Sequence, residues 1–403
     1  MPDFLPYGRQ TIEADDIAAV TEALQSDFLT TGPRVDAFES ALRQASGSTF
    51  AVACSNGTAA LHLASLTLNL GPHDQVIVPS VTFLATANAP RFLGAEIVFA
   101  DVDPDTGLLT AATLAEALAR APRARAVFPV HLNGAWCDMP AIARVARDRG
   151  LLIIEDTCHA LGTTYHIVSE GETITGLVGD CRWSDLTCFS FHPVKAIAMG
   201  EGGAITAKEQ HFDSALRLGR SHGLTRNVAD FRNSDLAFGD DGEAAPWYYE
   251  MHEPGYNYRV PDVLCALGIS QLAKLDRFVA RRRELAALYD AALAPLAQIA
   301  RPVPSSPTCR SAYHLYVVAI DFTAAGTTRY AVVEALRSSG IGTQVHYVPV
   351  HTQPYYRKHS GDTKLPGARA YYERALSLPL FPAMSDDDVP RVVTALRAAL
   401  DLV

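Results

Sequence analysis

The chain has 403 residues, 48% of them hydrophobic, too long for one simple domain and apolar enough to bury a sizeable core. Its 34 Lys and Arg against 44 Asp and Glu give a formal net charge of −10, which excludes the broad cationic face nucleic acid needs and leaves any anionic ligand to local groups. No stretch approaches the roughly 18–20 apolar residues of a membrane helix, and residues 1–7 lack the basic start and apolar run of a signal peptide, so a cytoplasmic protein without a membrane partner is expected.

In chain order, β-rich runs fall at 49–55, 75–80, 95–102, 124–131, 151–157, 185–192 and 203–207. Several are apolar on both alternating faces, as strands covered by helices on both sides are, and helical patterns at 58–68, 113–121 and 140–147 fill gaps long enough for crossovers. A seven-stranded, mostly parallel sheet in a three-layer α/β large domain is expected over residues 1–260. Segments 167–178 and 238–245 read as surface loops. From 261 to 403 the pattern is a long connecting helix over 262–293, with the basic run Arg281, Arg282 and Arg283 on a solvated face, then a smaller α+β domain. That domain holds a strand at 313–321, a helix at 329–339 and a closing helix at 386–402. The seven cysteines are scattered without a CxxC pair, which argues against a disulfide framework or structural zinc and for small core thiols.

Three motifs carry chemistry. Phe189-Ser190-Phe191-His192-Pro193-Val194-Lys195, followed by Gly200, Gly202 and Gly203, sets a lysine just past a buried strand, where partial desolvation makes its amine easier to deprotonate. Ser190, His192 and the glycines around it suit close backbone approach and phosphate, which separates this lysine from one on an ordinary surface loop. The run Ile153-Ile154-Glu155-Asp156-Thr157-Cys158-His159 places carboxylates at the carboxyl end of an apolar strand, either to hold a pyridinium nitrogen or to cap the next helix. Ser55-Asn56-Gly57-Thr58 leads a strand into a helix, either as a phosphate cradle of free amides and hydroxyls or as a plain capped turn. Together, cradle, ring carboxylate and Schiff-base lysine, in that order, point to pyridoxal phosphate.

Other patterns fall away. Asp101, Asp103 and Asp105 open like a calcium loop, but Thr106 and Ala112 stand where Gly and Glu are required, leaving a turn. No GxGxxG follows a strand, so a dinucleotide has no anchor. His346 and His351 lack a carboxylate or cysteine at ligand spacing, which disfavours a metal and leaves a substrate contact open.

The sequence resembles the DegT/DnrJ/EryC1/StrS sugar aminotransferases of pyridoxal phosphate fold type I over nearly its whole length. The likeness is carried by DFLTTGP at 27–33, SNGTAALHLA, TFLATAN at 82–88, PVHLNGAWCDM at 129–139, EDTCHALG, FSFHPVK with GEGG, RSHGLTR at 220–226 and GYNYRVPDVLCALGISQL at 255–272. Departures lie at Ala196, Ala198 and Met199 and at Thr157-Cys158, around the lysine and the carboxylate. The resemblance implies that Lys195 forms the Schiff base and carries the proton, that Asp156 pairs with the pyridine nitrogen and that Phe83 stacks on the ring. It further implies that Gly57, Thr58 and Ser190 hold the phosphate, that His159 lies at the ring edge and that Asn257 reaches the neighbouring subunit's phosphate in a homodimer. Arg226 and His346 are candidate cations for the nucleotide. The context DLT at 185–187 and PWYYE at 246–250 resembles the pseudaminic acid branch. It implies a UDP-linked 2-acetamido-2,6-dideoxy-4-keto sugar aminated by L-glutamate, with other UDP- or dTDP-linked 4-keto pentoses or 6-deoxyhexoses as the alternative. A non-catalytic binding protein of the same fold is the more distant reading, disfavoured by an intact Lys195, Asp156 and cradle.

Overall fold

The computed structural model describes residues 4–169 and 171–401. After helices α1 (Ala14–Gln25) and α2 (Pro33–Ser46) come strands β1 (Phe50–Cys54), β2 (Gln75–Pro79), β3 (Glu96–Ala100), β4 (Ala124–Val127) and β5 (Leu152–Asp156). They alternate with helices α3 (Gly57–Thr67), α4 (Leu84–Phe92), α5 (Ala111–Ala119) and α6 (Met139–Arg147). A hairpin of β6 (Thr164–Ser169) and β7 (Glu172–Leu177) precedes β8 (Leu186–Ser190), β9 (Gly203–Ala207) and α7 (Gln210–Arg220).

All seven strands expected from the sequence form one sheet in the order β1-β9-β8-β5-β4-β2-β3. Only β9 runs antiparallel to its neighbours. Every residue of β2 is buried and so are the last four of β5, which is why these strands read as continuous apolar runs rather than alternating ones. Each fully buried Val, Leu or Ile contributes roughly 1.5–3 kcal/mol, and Val52, Val76, Ile77, Val127, Ile153 and Leu186 all lie in this core. The carboxyl ends of β1, β2, β5 and β8 meet at one edge, the place where open parallel sheets hold ligands.

Three sequence expectations need correction. Segment 167–178 is most of the β6–β7 hairpin rather than a loop: its Thr and Ile residues are β-branched and pair in register across Gly171, which takes φ 83° at the turn. Past the short paired strands β10 (Leu224–Thr225) and β11 (Glu250–Met251) and the helical turn α8 (Ser234–Ala237) between them, the long helix is two, α9 (Asp262–Leu272) and α10 (Leu275–Leu293). The break lies at Ala273 and Lys274, whose Nζ sits 2.6 Å from Asp15 and 2.7 Å from Asp16 of α1. Third, the basic run is not a solvated face. Arg282 is 1% exposed and donates to the carbonyls of Tyr313, His314 and Leu380, so burial pushes its guanidinium down to about 10. Arg283 donates to the Ser311 carbonyl, and the pair fastens α10 to the chain around residue 313.

The remaining elements are β12 (Ala300–Pro302), β13 (Cys309–Arg310), β14 (Tyr316–Ile320), α11 (Arg329–Ser338), α12 (Pro354–Ser360), α13 (Pro366–Arg374), β15 (Ala375–Leu378) and α14 (Asp388–Ala399). Strands β12, β14 and β15 make a second antiparallel sheet over a separate core of Val318, Ile320, Leu336, Leu376, Val392 and Leu396. Leu5 joins that core, exchanging hydrogen bonds with the Gly340 carbonyl and the Gly342 amide, so the start of the chain is held beside its last third. No helix among the described residues is long and apolar enough to cross a membrane.

Candidate active site

A cavity of about 830 Å³ opens at the carboxyl edge of the large sheet. It is lined by Gly57, Thr58, Phe83, Asp156, His159, Ser190, Lys195 and His346 among others, so eight of the ten predicted site residues converge there.

The cradle forms because β1 ends at Cys54 and α3 starts three residues later. Asn56 caps the helix, its Oδ1 accepting the Ala59 amide at 2.8 Å, and the first amides of α3 are left without helical acceptors. A Cβ on Gly57 would lie 2.7 Å from the Cβ and 3.1 Å from the Oγ of Ser190. Gly57 thus lets the end of β8 close on the start of α3, bringing the Ser190 hydroxyl against free amides at the positive end of a helix.

Adjacent residues of β5 face opposite ways. Glu155 turns into the protein, taking hydrogen bonds from Ser184 and, at 2.7 Å, from His131 Nε2, whose Nδ1 accepts the Cys137 amide. Asp156, 5% exposed, turns to the cavity. Its Oδ2 accepts from Thr86 Oγ1 at 2.7 Å and its Oδ1 from the Cys158 amide at 3.1 Å. The helix-cap alternative falls, because β5 leads through turns into β6 with no helix between them; the Cys158 amide is the one local amide bonded, and the carboxylate lines the cavity.

Lys195 sits on the loop from β8 to β9. The Phe191 amide bonds the Gly202 carbonyl, the Met199 amide bonds the Phe191 carbonyl, and the Lys195 amide bonds the His192 carbonyl at 2.8 Å, so both ends of the loop are pinned. Burial pushes the amine below the usual lysine range, opposed by Cys158 and Asp156. An amine so placed is a better nucleophile and base at neutral pH than a solvated one.

The opposite wall comes from the C-terminal third. Gln344, Val345, His346, Tyr347 and Val348 line the cavity together with His314, and Tyr7 joins them from the start of the chain. Tyr347 Oη lies 3.0 Å from His159 Nε2, His346 Nδ1 lies 2.8 Å from Ser377 Oγ, and the rings of His159 and His314 are 4.3 Å apart. Burial depresses all three histidines, His346 to about 3, and pushes the Tyr347 phenol well above its ordinary value. His346 is therefore neutral near pH 7 and offers the cavity a hydrogen-bonding group, not the cation expected from the sequence. Tyr7, Thr82, His314, Gln344 and Tyr347 were not picked out by the sequence; TFLATAN marked one segment and His346 one position, without marking which neighbouring side chains turn inward.

Two predicted residues stand outside this cavity. Arg226 lies over the Tyr249 ring at 5.9 Å, and Asn257 bridges to Ser221 in the backbone. Asn257 is flanked by Tyr256 and Tyr258, which pack with His62; His62, Tyr258 and the 61% exposed Phe92 line the cavity rim.

Comparison with known proteins gives a consistent picture. The model of the DegT/DnrJ/EryC1/StrS aminotransferase family matches residues 10–397. The spore coat polysaccharide biosynthesis protein SpsC of Bacillus subtilis is 40% identical over 397 residues, covering 98% of this chain and 96% of SpsC. Helicobacter pylori PseC, an aminotransferase involved in the biosynthesis of pseudaminic acid, superposes with a TM-score of 0.87 at 25% identity over 100% of both chains. The sugar aminotransferase Spr1654 of Streptococcus pneumoniae in its pyridoxal phosphate form gives 0.85 at 26% identity over 99% of each chain.

Proposed function

The chain belongs to the DegT/DnrJ/EryC1/StrS aminotransferase family, and from that premise we propose that it is a pyridoxal phosphate enzyme moving an amino group from L-glutamate to C4 of a UDP-linked keto sugar. The substrate we propose is UDP-2-acetamido-2,6-dideoxy-β-L-arabino-hexos-4-ulose. The observation that carries the reading is the meeting in one cavity of a part-buried lysine, a carboxylate at a strand end and a helix-start cradle that a Cβ on Gly57 would fill.

The donor set fits the cofactor. Gly57, Thr58 and Ser190 would take the phosphate, Asp156 the ring nitrogen, Phe83 one face of the ring, and His159, kept neutral, its edge. When bound, pyridoxal phosphate supplies an aldehyde that reacts with amines and a ring that accepts electrons. Lys195 holds the cofactor through its amine and, released from it, takes and returns the proton at the substrate carbon. Asp156 keeps a positive ring nitrogen charged. Phe83, Tyr347, Val345 and Val348 supply the aromatic and apolar part of the cavity lining.

Arg226 and Asn257 act, in this reading, in the site of a second copy of the chain. Support comes from their place outside their own cavity and from the exposed Phe92 and Trp247, 61% and 77% accessible, beside the segments that carry them. Mixing Lys195→Ala with Asn257→Ala chains should then restore part of the activity, and no recovery in a mixture shown to exchange subunits would remove the shared site. The same reading divides the chain near residue 260 and keeps the enzyme in the cytoplasm.

A second substrate reading is favoured by one observation, the 40% identity with SpsC, a spore coat polysaccharide protein: the sugar is then another UDP- or dTDP-linked 4-keto pentose or 6-deoxyhexose. A panel of UDP- and dTDP-4-keto sugars with glutamate, products weighed by mass spectrometry, decides. The highest kcat/KM for the N-acetylated UDP sugar supports the first reading; a higher value for a keto pentose or dTDP-4-keto-6-deoxyglucose supports the second.

A further inference from the structure

Behind the Asp156 carboxylate lies a short chain of buried hydroxyls. Thr86, 0% exposed, donates from Oγ1 to Asp156 Oδ2 at 2.7 Å, and Thr82, 1% exposed, lies with its Oγ1 2.7 Å from that of Thr86. A threonine has one hydroxyl proton. Since the proton of Thr86 is committed to the carboxylate, Thr82 must donate to Thr86, which gives the chain one direction, Thr82 to Thr86 to Asp156. The Cys158 amide occupies the other oxygen. The carboxylate thus receives neutral donors on both oxygens, its rotation is fixed, and the lone pairs left over are those toward the cavity.

We infer that Thr86 and, through it, Thr82 are positioning residues for the ring nitrogen's partner, fixing the orientation in which Asp156 meets it. The inference rests on the reading that Asp156 meets that nitrogen. The Thr86 hydroxyl sits where a core would accept valine, a residue of the same shape with no polar group to bury, so the fold alone gives no reason for it, while Thr82 also lines the cavity. Their placement adds a second consequence. Thr82 and Thr86 lie on either side of Phe83, the residue preceding α4, and the Thr86 amide bonds the Phe83 carbonyl. One turn of chain therefore fixes both the carboxylate for the ring nitrogen and the aromatic wall for the ring face. Each hydroxyl in the relay polarises the next, so the outer threonine acts on Asp156 less strongly than the inner one.

The test uses holoenzyme loaded with pyridoxal phosphate isotope-labelled at the ring nitrogen. The nitrogen's magnetic resonance shift reports its protonation directly, and the visible band, the single-turnover rate with glutamate and the melting temperature of the apoprotein are read alongside. Asp156→Asn is the reference for a lost ring partner. Thr86→Val should move the nitrogen resonance in the same direction as Asp156→Asn by a smaller step. It should slow the glutamate half-reaction about tenfold or more, the equivalent of one hydrogen bond to a charged group. Thr82→Val should move both in the same sense by less, and Thr86→Ser should restore them. A structural role alone predicts a lower apoprotein melting temperature with the nitrogen resonance unmoved; that result overturns the relay. Should Thr86→Val fail to fold, the ordering of Thr82→Val and Thr86→Ser against wild type decides in the same way. If Asp156→Asn itself leaves the resonance unchanged, the assignment of Asp156 to the ring nitrogen fails, and an unchanged Thr86→Val beside a shifted Asp156→Asn removes the relay only.

Discussion

The two walls of the cavity are built by different means. The wall carrying Lys195, Asp156 and the Gly57 cradle grows from the ends of buried parallel strands, and each group inherits its place from a sheet whose register is fixed along several residues. The facing wall, residues 344–348 with Tyr7, has almost no regular structure. It is held by a few long-range bonds: the Gln344 and Ser377 backbones to each other, His346 to Ser377, Tyr347 to His159 and the Val350 amide to the Ser80 carbonyl. On the function proposed above, chemistry that every substrate shares falls to the rigid wall, and the surface that meets a particular substrate falls to the wall that a small number of substitutions can reshape. Substitutions on the first should act on kcat, those on the second on KM and substrate choice.

The sharpest attempt to break that contrast is Lys195→Ala, which should lower turnover about a thousandfold or more while the protein still folds; single-turnover kinetics with circular dichroism as the folding check would show it. Asp156→Asn comes next, with the glutamate half-reaction falling about a hundredfold and cofactor still retained by its phosphate. Gly57→Ala should weaken cofactor binding about tenfold to a hundredfold, because the new Cβ lies 2.7 Å from Ser190 and overpacking of this kind costs about 1–3 kcal/mol; equilibrium dialysis measures it.

What the sequence made legible follows the same division. The seven strands and the cavity-lining residues Gly57, Asp156, Ser190 and Lys195 could be read because a buried strand writes itself as an apolar run and the group that reaches the cavity stands at a short offset from its end. Tyr7 and Tyr347 could not, since they reach the cavity through chain folding over more than 300 residues rather than by a local period. Arg282 misled for a related reason. Three arginines in a row look solvated, and only the three-dimensional position of the Tyr313, His314 and Leu380 carbonyls gives the middle one acceptors inside. The β6–β7 hairpin was missed because Gly171 and its polar neighbours outweighed the β-branched residues on either side.

The meeting of the two walls also carries a pH signature. His159, His314 and His346 are held neutral by burial, so the unfolded chain binds their protons more tightly than the folded one. The stability they allow is complete above 6.5, their ordinary value, and is lost as pH falls, through to about 3 for His346. Urea unfolding of the apoprotein should show the loss between pH 7 and 5, and His346→Gln should reduce its slope by up to about 1.4 kcal/mol per pH unit. The smallest effect expected is that of Tyr347→Phe. It removes one hydrogen bond to His159 and should raise the KM for the sugar a few-fold, about 0.5–1.5 kcal/mol, with kcat nearly unchanged. A kcat loss as large as that of Asp156→Asn would erase the distinction between the walls.

The central claim is that the Lys195 amine on the first wall holds the cofactor. Borohydride reduction of the purified protein followed by peptide mapping tests it most directly: the pyridoxyl group should be found on Lys195, and its recovery on another lysine, such as the exposed Lys208, would contradict the account.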